Sequence, residues 1–309
     1  MRPPAKEQSI EKAVLKIAFN ARRQLGFQKE EAKRISKIIV ITGATNGIGK
    51  ESAHQLALLG HRIVLIARSE EKASATLQTL ARPENQIHTY HLADLSSIKD
   101  INRVANDIRN AEPHIDVLIN NAGETVDHLE RTIAINHLAY FVLTLGLKPC
   151  LSRGSRVVIT SSELHRRGHF EPDNLDLRKG SHYGLSHLYE NYNRSKLYNV
   201  IFTLRLSQMW ASEGITVNCL HPGIIRTGLG NGQWGLVEPI LSFFAGAFGQ
   251  SSASGGQVIT FLAVSPTLEN ETGKYYNRYK LQEPSNEAKD ESNASILWKT
   301  SLQWAHMEM

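Results

Sequence analysis

Tyr192-Asn-Arg-Ser-Lys196 carries the most suggestive chemistry in the chain. It falls within residues 185–212, a stretch of helical length, and positions i and i+4 share a helix face. The phenol and the ammonium therefore project together. A free tyrosine has a pKa of about 10, too high for a base at neutral pH. A neighbouring cation favours the phenolate, so the pair is a candidate general acid/base. Tyr-x-x-x-Lys is also a common arrangement on ordinary helix surfaces, so it needs a setting before it means anything. Ser161-Ser162 ends the apolar run 155–160. A hydroxyl there can hydrogen-bond a substrate carbonyl, although a Ser-Ser pair after a strand is often only a turn.

The elements that position these residues follow a simple rhythm. Short apolar, β-branched runs occur at residues 37–42, 62–67, 86–90, 116–120, 155–160 and 215–220. Each reads as a buried strand. Stretches of helical length lie between them, most clearly at 49–59, 70–80, 98–109 and 185–212. Strands alternating with helices predict βαβ units and right-handed crossovers. The expected fold is α/β, a single Rossmann-type doubly wound parallel sheet of about seven strands flanked by helices. Ligands of such sheets sit beyond the carboxyl ends of the strands.

The motifs fall at those ends. Thr42-Gly43-Ala44-Thr45-Asn46-Gly47-Ile48-Gly49 follows the first strand and opens a helix. Glycines here permit a tight turn and a close backbone approach to pyrophosphate, and the helix start offers unpaired N–H groups and a positive dipole end. The second strand ends Ala67-Arg68-Ser69, with no acid at Ala67, where NAD-binding sheets usually carry one, and an arginine next. A guanidinium can take a 2′-phosphate bidentately, which favours NADP(H), with Lys50 and Asn46 as possible helpers. The other reading of Arg68 is a solvated loop charge. Asp94, in Leu92-Ala-Asp-Leu95-Ser, can accept from an adenine amino group or cap the next helix. Asn121-Ala122-Gly123 ends the fourth strand. Its small residues let the chain pass beside an adenosine, and its amide can tie strand ends.

Composition bounds the rest. A chain of 309 residues with 41% hydrophobic and 21% charged residues is ordinary for a globular protein. Residues 1–37 carry ten Lys/Arg against four Asp/Glu, a net of +6, so the remaining chain is close to neutral within a total of +5. The basic extension 1–36 shows Ile10, Val14, Ile17, Ala18 and Ala21 at helical spacing. It fits a helix docked on the body or a partner, peripheral contact with an anionic membrane, or a transit peptide. Glu7, Glu11, Glu30 and Glu31 argue against the last. Neither a secretory signal nor a transmembrane helix is expected, and the location expected is cytoplasmic. Charges so mixed with acids make nucleic acid an unlikely partner. Cys150 and Cys219 read as buried inert thiols, the thirteen histidines show no metal spacing, and no metal is expected. His165-Arg-Arg-Gly-His169 reads as a solvated basic loop, with lining of the pocket as the alternative. Two glycosylation-type triplets, at Asn193 and Asn270, read as chance.

Taken in order, these motifs resemble the short-chain dehydrogenases/reductases over about residues 38–276. Within that family the chain looks most like the retinol dehydrogenase-type branch, which also includes the WW-domain oxidoreductases. The residues that carry this are Thr42-Gly-Ala-Thr-Asn-Gly-Ile-Gly-Lys-Glu-Ser-Ala53, Asn136-His-Leu-Ala-Tyr-Phe-Val-Leu-Thr144, Leu220-His-Pro-Gly-Ile-Ile-Arg-Thr227 and Glu283-Pro-Ser-Asn-Glu-Ala288, with Leu297-Trp298 beyond. The resemblance implies Tyr192 as acid/base. Lys196 would hold the nicotinamide ribose and lower the Tyr192 pKa. Ser162 would polarise the carbonyl, and Asn136 would support a proton relay. Gly43, Thr45, Asn46, Gly47, Ile48, Gly49, Arg68, Asp94, Leu95, Asn121, Ala122 and Gly123 would bind the cofactor. Pro222, Gly223, Ile225 and Thr227 would hold its carboxamide. Two departures stand out: a short segment between Gly123 and Asn136, and the basic extension in place of an apolar anchor.

Residues 37–280 are thus read as the NADP(H)-binding domain and 281–309 as a C-terminal tail. Residues 228–256, with Trp234, Phe243, Phe244 and Phe248, are read as a substrate lid. An apolar lid suits an apolar alcohol, aldehyde or ketone. A dimer interface or membrane-facing patch is the competing reading. The expected function is NADP(H)-dependent interconversion of such an alcohol and its carbonyl, with carbonyl reduction the favoured direction. The alternative is a non-catalytic NADP(H)-binding sensor or scaffold.

Overall fold

The computed structural model describes residues 36–83, 86–123, 129–176, 185–225 and 250–308. The extension 1–35, the loop 124–128, Thr227 and most of the expected lid lie outside them. Eight strands form one sheet: β1 Ile38–Thr42, β2 Arg62–Ala67, β3 Thr89–Leu92, β4 Val117–Asn120, β5 Arg156–Thr160, β6 Thr216–His221, β7 Lys274–Asn277 and β8 Lys280–Gln282. Their order is β3-β2-β1-β4-β5-β6-β7-β8. All neighbours are parallel except the β7–β8 pair. The sheet has one strand more than expected. β8 is three residues long and folds back through a turn where Arg278 takes φ 58°.

The helices are α1 Gly47–Leu58, α2 Glu70–Thr79, α3 Ile98–Ala111, α4 Leu129–Ile133, α5 Ala139–Gly146, α6 Leu185–Trp210, α7 Ser252–Val264, α8 Asn286–Lys289 and α9 Glu291–Trp304. Side chains alternate across a strand, and β1 uses this to serve two cores. Ile39 and Ile41 join the core under α1, α2 and α7. Val40 joins the other, under α3, α5, α6 and α9. Both faces of the parallel sheet are therefore covered, as such sheets require.

Three local readings change. The third strand begins at Thr89, not at residue 86. The buried His88 ring accepts from the Ile63 amide at 3.1 Å, and Gln86 donates to the Gly60 carbonyl at 3.0 Å, so these residues are spent on side-chain bonds before the ladder starts. Residues 252–256 of the expected lid belong to α7, which lies against α1. The Cβ absent from Gly256 would stand 2.8 Å from the Ser52 amide. Within the expected C-terminal tail, α8 and α9 form, and Leu297 and Leu302 are buried in the core. Among the described residues, no helix is long and apolar enough to cross a membrane.

The strand ends are tied where the order reverses between β1 and β4. The buried Thr42 hydroxyl accepts from the Asn121 and Ala122 amides at 2.9 and 3.0 Å. It donates to the Ile119 carbonyl at 3.4 Å. The Asn121 side chain returns the contact, donating to the Thr42 and Gly43 carbonyls at 3.2 Å each. Thr160 at the end of β5 donates to the Asn121 amide oxygen at 3.4 Å. Valine has nearly the shape of threonine but no hydroxyl. Thr42→Val is expected to strand two amide donors and to cost about 2–6 kcal/mol, at about 1–3 kcal/mol for each buried unpaired group. Urea unfolding measures this, and a loss below about 1 kcal/mol would contradict it.

Candidate active site

Because β1 to β7 run parallel, their carboxyl ends share one edge. Along it stand Asp94 and Leu95 after β3, Arg68 after β2, residues 43–49 after β1, residues 121–123 after β4, Ser162 after β5 and Pro222, Gly223 and Ile225 after β6. Strands are spaced by roughly 4.8 Å, so Arg68 and Ser162 are separated by about 14 Å of sheet edge.

The β1–α1 turn is built on glycines for reasons only partly legible in sequence. Gly43 and Gly47 adopt φ 68° and 56°, in the left-handed region that disfavours other residues. A Cβ on Gly43 would stand 2.7 Å from the Ala122 Cα, and one on Gly49 would stand 2.4 Å from the Asn121 amide nitrogen. These glycines let two segments of this chain meet. Asn46 caps α1, accepting from the Gly47 amide at 2.8 Å. Arg68 is exposed at the edge, with Ser69 capping α2 behind it. Asp94 does not cap α3, because Ser97 does. One Asp94 oxygen accepts from the Ser96 amide and hydroxyl at 2.9 and 2.7 Å. Those bonds hold the carboxyl below the usual carboxylate range.

Tyr192 and Lys196 lie one turn apart on α6, with the Lys196 ammonium 5.5 Å from the phenol ring centre. Lys196 is buried and donates to the Thr160 carbonyl at 3.2 Å. No salt bridge neutralises it among the described residues, and burial pushes its pKa down to about 8. Asn136 sits in a single π-turn, Ala134–Leu138, between α4 and α5. Its amide donates to the Ser195 hydroxyl at 3.1 Å, which donates to the Tyr192 carbonyl at 2.7 Å. Asn136 and Lys196 meet beneath Gly123. A Cβ there would stand 3.5 Å from the Asn136 Oδ1 and 3.6 Å from the Lys196 Nζ.

The serine pair divides its work. Ser161 donates to the Lys196 carbonyl at 2.9 Å, fixing α6 against β5. The Ser162 hydroxyl accepts from the Leu164 amide at 3.2 Å and opens a short 3₁₀ turn, Glu163–Arg167. The solvated-loop reading holds for Arg166, Arg167 and His169, which are exposed, and is corrected at His165, which is fully buried. On the β6 side Pro222 is buried, Gly223 takes φ 98°, and Ile225 bridges to Gln250. Sequence reasoning gave no role to Thr42, Thr160 or Ser195, and took His165 only as part of a basic loop. Nothing in their local pattern marks them, since each acts through a partner brought up by the fold.

The cradle has the chemistry a dinucleotide needs. A desolvated cation with no carboxylate partner among the described residues suits a group bearing hydroxyls and negative charge, and Gly123 lets the chain pass close to that cation and Asn136. A family model described as short chain dehydrogenase matches residues 37–171. Retinol dehydrogenase 14 of Mus musculus is 35% identical over 289 residues, spanning 86% of this chain and 84% of that protein. Among solved structures, an uncharacterised protein from Mycobacterium paratuberculosis superposes with a TM-score of 0.68 at 28% identity, covering 90% of this chain and 97% of that one. A short chain dehydrogenase from Shigella flexneri, complexed with NADP, gives a TM-score of 0.61 at 23% identity over 79% of this chain and 97% of its own. The chain belongs to the short-chain dehydrogenase family, is retinol dehydrogenase-like, and is an oxidoreductase acting on CH–OH groups.

Proposed function

We propose that this protein interconverts an apolar alcohol and its aldehyde or ketone with NADP(H), using Tyr192 as the acid/base. The approach of Lys196 and Asn136 to Gly123, with Tyr192 beside Lys196 on α6 and Ser162 at the β5 end, carries the reading. The nicotinamide, when bound, supplies or accepts the hydride. The protein's own residues supply geometry and charge. Tyr192 gives a proton to the carbonyl oxygen in reduction and takes it back in oxidation. Lys196 favours the phenolate and holds ribose hydroxyls. Ser162 donates to the same substrate oxygen. Asn136, fixed through Ser195 to the Tyr192 backbone, keeps a polar path open beside Lys196.

Residues 43–49, Asp94, Leu95 and residues 121–123 would line the adenosine and pyrophosphate, with Pro222, Gly223, Ile225 and Thr227 at the nicotinamide end. Arg68 supports NADP(H), since a guanidinium at the end of β2 suits a 2′-phosphate and Ala67 stands where an acid would claim a free ribose hydroxyl. The name of the mouse relative, a retinol dehydrogenase, supports an apolar substrate.

Purified protein assayed with NADPH and NADH over apolar aldehydes and ketones tests the reading. Tyr192→Phe is expected to keep cofactor affinity within a few-fold and to lose about 10²–10⁴ in turnover, the usual worth of a positioned acid. Near-normal turnover by that variant would refute the assignment. Arg68→Glu is expected to weaken NADPH binding by roughly 10- to 100-fold, the worth of a charge-assisted bond, and to leave NADH binding little changed. Equal affinities of the unmodified protein for the two cofactors would refute the phosphate site.

Lys196 adds a stability prediction. Its pKa falls from 10.5 to about 8 on folding, so between these values the unfolded chain binds more protons. Stability of the empty protein should therefore rise with pH across that window. Below about pH 8 the buried cation costs about 3 kcal/mol. Lys196→Met is expected to raise the Tm of the empty protein at pH 7 while abolishing turnover, with the gain shrinking towards pH 10. A lower Tm at pH 7 would contradict this.

A further inference from the structure

Ser162 carries its hydroxyl on a peptide whose carbonyl is held from behind. The His165 Nδ1 lies 2.7 Å from the Ser162 carbonyl oxygen, and its Nε2 lies 3.3 Å from the Ser285 amide nitrogen. A backbone N–H can only donate, so Nε2 is the acceptor and the ring proton sits on Nδ1, donating to Ser162. The ring is fully buried, and burial depresses its pKa, which keeps this neutral tautomer. Its face packs on Tyr275, with ring centres 4.6 Å apart.

The same turn is fastened at further points. The Glu163 carboxylate accepts from the Tyr275 hydroxyl at 2.6 Å and the Asn277 amide at 3.2 Å. Arg166 donates to the Glu283 carbonyl at 2.6 Å. The Glu287 carboxylate accepts from the Phe170 amide at 2.5 Å and lies 3.1 Å from the His169 Nδ1. Residues 283–287 thus grip residues 165–170 along their length, and His165 is the one strand of this grip that ends on the Ser162 peptide itself.

We infer that His165 is a positioning residue for Ser162, and that residues 283–287 hold it in register through the Ser285 amide. The inference rests on the reading of Ser162 as the group that meets the substrate oxygen. Within the described bonds the Ser162 hydroxyl is tied only to the Leu164 amide of its own turn, so its direction follows the orientation of the 162–163 peptide. The His165 ring, beside the backbone N–H of the same residue that donates to the same carbonyl at 3.1 Å, fixes that orientation and has no part in the assigned contacts to substrate or cofactor.

Four single variants of the full chain test it. His165→Phe keeps a ring on Tyr275 and removes both polar bonds. His165→Asn restores an amide donor near the Nδ1 position. Ser285→Pro deletes the N–H together with a side-chain hydroxyl that makes no hydrogen bond among the described residues, and the φ of −63° at Ser285 suits the proline ring. Ser162→Ala is the reference. In hydrogen exchange of the empty protein, His165→Phe and Ser285→Pro are expected to speed exchange in residues 162–170 by about tenfold, with the 192–200 stretch of α6 unchanged. In reduction of the aldehyde turned over fastest, both should lower kcat by about tenfold with KM within about twofold, and His165→Asn should recover most of kcat. The double variant Ser162→Ala/His165→Phe should be no slower than Ser162→Ala alone, because residues acting as one unit are not additive.

Multiplying losses in the double variant, or unchanged exchange and turnover in His165→Phe and Ser285→Pro beside a slow Ser162→Ala, would overturn this inference alone. Full turnover by Ser162→Ala would overturn the reading of Ser162 and this inference with it.

Discussion

The whole edge depends on one hydroxyl. Thr42 stands at the point where the sheet reverses its winding, and two amides of the next strand's exit point at its oxygen. Exits of parallel strands diverge unless something ties them, since each chain must leave for a helix on one face or the other. Here the tie is short polar groups in a buried place, where an unmade bond is expensive. The Asn121 side chain completes it by serving β1 and β5 together. The glycines at positions 43 and 49 are required because that knot leaves no room for a Cβ.

From this knot the chemistry follows in two directions. Towards β2 and β3 the edge offers a cation and a restrained carboxylate. Towards β5 and β6 it offers Lys196, Tyr192 and the Ser162 turn. Lys196 anchors this second half by bonding to the carbonyl of Thr160, the residue whose hydroxyl reaches the knot. Thus the same strand end holds the charged group and ties it to the Asn121 knot. Pre-set dipoles and charges of this kind need no rearrangement during reaction.

Legibility followed locality. β2 matched its sequence range residue for residue because its apolar run is continuous and bounded by turn residues. β3 slipped because His88 and Gln86 are polar residues used for long-range bonds. α7 was missed because its first turn, Ser252-Ala-Ser-Gly-Gly256, looks like a loop and becomes a helix only against α1. Tyr192 and Lys196 were readable from an i, i+4 spacing. The π-turn at Asn136 was not, because nothing in Ala134–Leu138 distinguishes it from an α-helix. His165 sits between two arginines and a glycine, the pattern of a solvated loop. Its burial comes from Tyr275 and Ser285, more than a hundred residues downstream.

That distance has a consequence for the order in which the molecule is made. Residues 162–170 leave the ribosome long before residues 275–287, whose groups grip them. At about 5–20 residues per second, the interval is roughly ten seconds. During it the strands that form the nucleotide half can already associate, while the turn bearing Ser162 still lacks the ring contact and backbone bonds that fix it. A nascent chain of this protein therefore has time to assemble the β1–β4 edge while the turn bearing Ser162 is still unfastened.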